Sequence, residues 1–287
     1  MFAIYQKELK TYFNNLFGYL YIAIVILFMG IFSSIINFKQ AYADLSYSLD
    51  NLSLVVLLVT PLLTMRSIAE ERQKKTDQLL YSLPLSMSSV VVAKYLAMLT
   101  VFLIPMAVIC LYPFALSSFG IINFARMFGS ILAFFLMGSC LLAIGMFISS
   151  LTENQIISAI ISFVVMLVIY FSTALANLVP ATAQGSFVAF TVMALLFGLI
   201  VYLMVKNYVI GLGASAICEV TLAILFRTNQ TAFEGLFGKV VGWISVYERC
   251  YNFYMGIFDL TAIVYFLSVS FLFVFLTVQA VEKRRWS

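Results

Sequence analysis

The chain reads as an all-α, polytopic membrane protein with about eight transmembrane helices. Of its 287 residues 64% are apolar and 10% charged, whereas a soluble domain is about half apolar and about a quarter charged. A water-soluble fold of this size cannot bury that surplus, so lipid must solvate much of it. A hydrocarbon core of about 30 Å takes about 20 helical residues per crossing. Eight crossings therefore use about 160 residues and leave enough chain for loops and surface helices.

Residues Met1 to Leu16 place Phe2, Tyr5, Leu9, Tyr12 or Phe13, and Leu16 at helical spacing, with Gln6, Lys7, Glu8 and Lys10 largely on another face. Such a helix is expected to lie in the membrane surface. Aromatics precede Lys7 and the next apolar run is long enough to span, so a cleaved signal peptide is not expected. Apolar runs follow at about 17–36, 51–65, 92–116, 127–150, 156–178, 187–205, 208–226 and 260–281. The second is short and contains Pro61, which predicts a kink or an extension by the polar helix that follows.

With the N-terminus in the cytoplasm, Lys7, Lys10, Arg66, Arg72, Lys74, Lys75, Lys94, Lys206, Lys283, Arg284 and Arg285 fall inside, eleven of the sixteen cations. The outer side keeps Lys39, Arg126, Arg227, Lys239 and Arg249, and this bias places both termini inside. Only Lys206 and Asn207 separate the sixth and seventh runs, which predicts a tight hairpin. Removing both runs leaves every other orientation unchanged, so the plan is a six-span core with an inserted pair. No repeat and no low-complexity linker divides the chain. One membrane domain is expected over 1–287, with a surface helix at 1–16, a polar cytoplasmic region at 66–83 and an outer amphipathic region at 227–259.

The stretch from Thr60 to Ser89 departs most from plain lipid-facing helix. It holds seven of the twenty-eight charges, Arg66, Glu70, Glu71, Arg72, Lys74, Lys75 and Asp77, and helix formers run from Arg66 to Leu80 up to a break before Pro84. Ser86 is placed to cap the next span. A solvated loop that only enforces topology is one reading. Against it, antiparallel helices need about 2–8 connecting residues, and a segment this long is better used as a docking surface. At Ser149-Ser-Leu-Thr-Glu-Asn-Gln155, Thr152 is placed to cap a helix starting at Glu153, with Glu153 and Gln155 in its first turn. Local capping accounts for this segment; a second contact with a cytosolic partner is the alternative.

Glu219 lies in the seventh run, and a carboxylate inside lipid is a functional hypothesis by default. The competing reading has it near the outer end of that span or paired with Arg227. Gly138, Ser139, Ala143, Gly145 and Ser149, followed by Ser158 and Ser162, permit close helix approach, either within one chain or at a dimer seam or pathway. From Thr231 to Leu260 apolar residues alternate with Glu234, Lys239, Glu248 and Arg249, and Trp243, Tyr247, Tyr251 and Tyr254 are added. One or two amphipathic helices at the outer interface are expected there, as an anchor or an external lid.

The chain has no histidine, which removes histidine-based catalysis and metal ligation, and its four cysteines lack zinc or redox spacing. Gly235-Leu-Phe-Gly-Lys239 has the wrong spacing for a phosphate-cradling loop, so the chain is not expected to bind and hydrolyse ATP alone, and no cofactor or metal is expected in it. The net charge of +4 comes from clusters beside apolar runs, a pattern of membrane orientation rather than of nucleic-acid binding.

Several pieces in order resemble the permease subunits of ABC type-2 exporters, in the branch similar to the gliding-motility-associated permease. They are Lys7-Glu-Leu9 with Tyr12-Phe13, Pro61-Leu-Leu-Thr-Met-Arg-Ser-Ile-Ala-Glu-Glu71, Lys75-Thr-Asp-Gln-Leu-Leu80, Leu83-Pro84, Lys94-Tyr95, Phe147-Ile-Ser-Ser-Leu-Thr-Glu-Asn-Gln155, Phe233-Glu-Gly-Leu236 and Val281-Glu-Lys-Arg-Arg-Trp286. The resemblance implies an interfacial elbow helix at the N-terminus and a coupling helix around Glu70 to Gln78 that docks on a separate nucleotide-binding subunit. It also implies paired permease halves, identical or related, that alternate access in a bacterial cytoplasmic membrane. The docking set is then Arg66, Glu70, Glu71, Arg72, Lys75, Thr76, Asp77, Gln78, Glu153 and Asn154, with Gly138, Gly145 and Glu219 for a seam or pathway. ATP and Mg would sit in the partner ATPase, and an extracytoplasmic accessory subunit is a further expected partner. The usual family core has six spans, so runs six and seven depart from it or mark this branch. The leading function is export powered by that ATPase. A non-transporting subunit that moves an extracytoplasmic partner is the alternative, ahead of a secondary transporter and an intramembrane enzyme.

Overall fold

The computed structural model describes residues 1–77, 86–118, 120, 122–205 and 208–285. Among them every regular element is helical: α1 (Phe2–Asn14), α2 (Leu16–Phe32) running into a π-helical turn (Ser33–Phe38), α3 (Ser46–Thr64), α4 (Ala69–Gln73), α5 (Met87–Ile109), α6 (Tyr112–Leu116), α7 (Phe124–Leu151), α8 (Gln155–Leu178), α9 (Ala183–Val205), α10 (Tyr208–Thr228), a 3₁₀ turn (Gln230–Phe233), α11 (Leu236–Ile244), α12 (Glu248–Tyr254) and α13 (Leu260–Arg285). Among the described residues six stretches are long and apolar enough to cross a membrane: Leu16–Phe38, Ser46–Gln73, Met87–Leu116, Phe124–Leu151, Gln155–Leu178 and Leu260–Arg284. The chain is a multi-pass membrane protein.

Packing divides it into two compact units, residues 1–168 with 249–287, and residues 169–248. In the first unit, α3 packs on α2 and α7, α7 on α5 and α13, and α1 on α5 and α2. The apolar windows of α3 and α7 are 78% and 83% buried, against 22% for α2 and 28% for α13. α3 and α7 are thus the centre of the unit, and α2 and α13 turn much of their surface toward lipid.

The second crossing is longer than hydropathy suggests. Its helix starts at Ser46, continues unbroken through Pro61 and leads into α4. The polar first turns hide it from a hydropathy window, because the bundle satisfies them: Ser46 Oγ meets Ser130 Oγ at 3.2 Å and Ser48 Oγ donates to Asn37 Oδ1 at 2.6 Å. Asn37 in turn donates to the Tyr42 and Asp44 carbonyls at 2.8 Å each, closing the loop that precedes α3.

The second unit contains α9 packed along α10, together with the 3₁₀ turn and α11. A phenylalanine cluster holds it: Phe187–Phe226 at 4.6 Å between ring centres, Phe226–Phe233 at 5.3 Å and Phe190–Phe237 at 5.4 Å. Gly235 stands at the N-cap of α11 with φ of +65°, a backbone that favours glycine. Lys206 and Asn207, the expected hairpin turn, lie outside the described residues. The strongly apolar part of this pair within the described residues is Ala183–Leu196.

Candidate docking site

The site is built where α3 ends. The Ser67 hydroxyl donates to the Thr64 carbonyl at 2.8 Å as the chain turns into α4. The first N–H groups of a helix have no partner in that helix. Here the Ser149 hydroxyl of α7 accepts from the N–H groups of Ile68 (3.3 Å) and Ala69 (3.0 Å) and donates to the Met65 carbonyl (3.4 Å). Arg72 does the converse for α7. Buried at 7% exposure, its guanidinium donates to the Ser150 carbonyl and to that of Thr152 at 3.5 Å, which are end-of-helix acceptors. Gln73 Oε1 accepts from the Gln155 N–H at 3.4 Å and ties α4 to the start of α8.

Every carboxylate of the α4 segment is engaged. Glu70 is gripped by Arg66 at 2.5 and 2.9 Å and by Lys74 at 2.7 Å, and Arg66 also lies 4.2 Å from the centre of the Phe17 ring. Glu71 pairs with Lys94 of α5 at 2.9 Å and with Lys7 of α1 at 3.5 Å. Lys94, only 3% exposed, also reaches Glu8 of α1 at 3.0 Å. Tyr12 donates to the Leu63 carbonyl at 3.4 Å, and burial together with the Glu8 carboxylate pushes its phenol well above the usual range, so it stays neutral.

What remains outward is Gln73, Lys74, Lys75 and Thr76. Lys75 has φ of +56°. The Lys75 N–H reaches the Arg72 carbonyl at 3.0 Å and the Thr76 N–H the Glu71 carbonyl at 2.9 Å. This is a Schellman ending with lysine where glycine is usual. A bulky residue held there carries strain, which persists where surrounding structure imposes it and is common at functional positions.

The structure brings Arg66, Glu70, Glu71, Arg72, Lys75, Thr76, Glu153 and Asn154 to one end of the first unit, with Asp77 half-buried beside them; Gln78 lies outside the described residues. Three expectations change. Of the polar helix expected over Arg66 to Leu80, the described part is not continuous: a five-residue helix, Ala69–Gln73, prolongs the second crossing, the chain turns at Lys74 and Lys75, and Asp77 is helical again; residues 78–80 and the Leu83-Pro84 break lie outside the described residues. The helix expected to start at Glu153 starts at Gln155. Asn154 caps it by accepting from Ile156 and Ile157 N–H groups at 2.8 and 3.4 Å, while the Thr152 hydroxyl turns back to the Ile148 carbonyl. Glu8, expected on the polar face of α1, is buried, because Lys94 gives it a partner that periodicity does not display. Ser86 stands at the N-cap of α5 with its hydroxyl 2.7 Å from that of Ser89.

The other candidates lie elsewhere. A Cβ at Gly138 would stand 2.3 Å from the Phe102 ring, and one at Gly145 2.5 Å from Thr64 Oγ1, so both glycines let α7 approach α5 and α3 within one chain. Glu219 is on α10 in the second unit, where its Oε1 is buried without a hydrogen-bond partner among the described residues. Asp259 was not singled out by sequence. It caps α13, accepting from the N–H groups of Thr261 (2.9 Å) and Ala262 (3.4 Å), and the Thr261 hydroxyl and Asn252 amide hold its carboxyl below the usual range.

These features define a helical membrane protein whose bundle ends in a cross-braced polar platform. Residues 37–225, more than half the chain, match the ABC-2 family transporter proteins. The chain belongs to that family and is a permease, the transmembrane subunit of an ABC transporter. Membership implies a cytosolic ABC ATPase as partner and usually a second permease. No curated protein and no solved structure matches it.

Proposed function

We propose that this permease exports its cargo by receiving force from a separate cytosolic ATPase, which binds ATP and Mg and docks on the platform formed by α4 and the α7–α8 turn. The observation that carries this reading is the pairing of exposed cations at Lys74 and Lys75 with a strained, outward turn fixed rigidly to three helices beneath it. Arg66, Glu70, Glu71 and Arg72 form the foundation of the dock, and Lys74, Lys75, Thr76, Glu153 and Asn154 its outward face. In this reading α1 is the elbow helix, α9 and α10 add a hairpin pair to the six crossings, and both termini are cytoplasmic, as the cation bias favours. The membrane would be a bacterial cytoplasmic membrane, and the branch that of the gliding-motility-associated permeases.

A second copy fits the same reading. α3 is otherwise buried, yet Tyr47, Asp50, Asn51 and Leu58 stand exposed along it. Polar side chains in a membrane helix face protein or a water-filled cavity rather than lipid. The test of the dock is co-purification. A Lys74→Glu/Lys75→Glu chain should be made and folded as wild type yet lose its ATPase, whereas Glu8-side residues left intact keep the platform beneath it. Undiminished capture of the ATPase by the reversed variant would refute the dock.

A further inference from the structure

The family match starts at residue 37, yet two side chains of α1 are built into the platform. Lys94 is only 3% exposed, with buried Val90, Val91, Ala97 and Met98 beside it on its own helix. Its ammonium is shared between two carboxylates on different elements, Glu8 of α1 at 3.0 Å and Glu71 of α4 at 2.9 Å. Lys7 closes the cluster from the outside, 3.8 Å from Glu8 and 3.5 Å from Glu71. Withdrawing either carboxylate leaves the buried ammonium with one partner instead of two, and weakening the pairing of a buried ion is costly. α1 is also fastened to α5 by the hydrogen bond between the Tyr5 and Thr100 hydroxyls at 2.9 Å.

We propose that Lys94 is the positioning residue that makes α1 and the α4 turn one lever, so that displacement of α4 by the motor carries the N-terminal helix with it. This rests on the docking reading. Local packing alone would stabilise the fold; the shared ammonium goes further, because it fixes the distance between two segments separated by an entire span and return in sequence.

The test uses spin labels at Lys10 and at Gln73, an exposed α4 residue outside the docking face, in a chain whose four native cysteines are replaced, purified with its ATPase and measured with and without trapped ATP. Wild type should give one narrow distance that trapping leaves unchanged. Lys94→Met alone strands Glu8 and risks misfolding, so the decisive variant is the charge-neutral pair Glu8→Gln/Lys94→Met, which leaves Glu71 of the dock in place and paired with Lys7. It should keep the ATPase, and its distance should broaden or shift on trapping. A double variant that stays narrow with the ATPase bound overturns the lever, and so does a wild-type distance that changes. Loss of the ATPase from the double variant alone would make the cluster part of the dock and also overturn it. Failure of the wild-type chain to capture any ATPase would instead bring down the docking reading itself.

Discussion

The two ends of α7 use the same chemistry for different ends. At its C-terminus a buried Arg72 donates to the carbonyls of Ser150 and Thr152, and around it Arg66, Lys74, Lys94 and Lys7 hold Glu70, Glu71 and Glu8. At its N-terminus Arg126 donates to the carbonyl that ends α12, Tyr254, at 2.6 and 3.1 Å, and pairs with Asp44 at 2.9 Å. There the guanidinium side chain is 35% exposed and borders an open cavity of about 370 Å³ with Phe253, Met255 and Phe258. One end is cross-braced by buried ion pairs through four helices; the other is held by a part-exposed Arg126 and by the Ser130 hydroxyl, which meets Ser46 and the Phe253 carbonyl, beside an open cavity. A rigid, charged, multiply anchored end is what a subunit that receives force requires, because motion delivered to a loosely held turn would be lost in bending.

That contrast can be broken most severely at Lys94. Removing one partner from a buried ion pair costs about 3–5 kcal/mol, so Lys94→Met should lower the apparent Tm in detergent more than Arg126→Gln, whose partly exposed pair is worth about 1 kcal/mol or less. Equal losses would remove the distinction between the ends. Gly138→Val should come next. Its Cβ must enter the fully buried Phe102 ring, and overpacking costs about 1–3 kcal/mol; an unshifted Tm would mean α5 and α7 are not in close contact.

Asp259→Ala should cost about 1 kcal/mol through loss of the α13 cap. Because folding lowers the Asp259 pKa, its contribution is complete above the unfolded value of about 3.9 and fades as pH falls through the lower folded value. The wild-type and Asp259→Ala melting curves should therefore converge in acid, and a gap that persists would assign the loss to something other than the carboxylate. Smallest of all is Arg284→Ala. It breaks a 2.8 Å pair with Glu153, whose side chain is 75% exposed, so a change of about 0.5 kcal/mol or less is expected.

Much of the bundle was legible because lipid demands long apolar runs, and five of the six spanning stretches fall close to where hydropathy puts them. The start of α3 was hidden because Ser46, Ser48, Asp50 and Asn51 read as loop until partners such as Asn37 and Ser130 are known. Within the site, the charge run at 66–77 was visible, but its division of labour was not. Arg72 looks like any surface cation until the α7 carbonyls are placed against it, and Lys94 inside an apolar run reads as a topology signal until Glu8 and Glu71 converge on it. The one local clue was charge itself, since a lysine within a crossing needs a carboxylate from another element. Small residues carried the opposite ambiguity: Gly138 and Gly145 suit a dimer seam equally well, and only Phe102 and Thr64 show what they accommodate.

The most direct measurement places a photo-crosslinking residue at Lys75 on the α4 turn and, separately, at Phe258 beside the opposite cavity, in cells that contain the native ATPase. Docking at the α4 end predicts an adduct with the ATPase from position 75 and none from position 258. An ATPase adduct from position 258 with none from position 75 would contradict it.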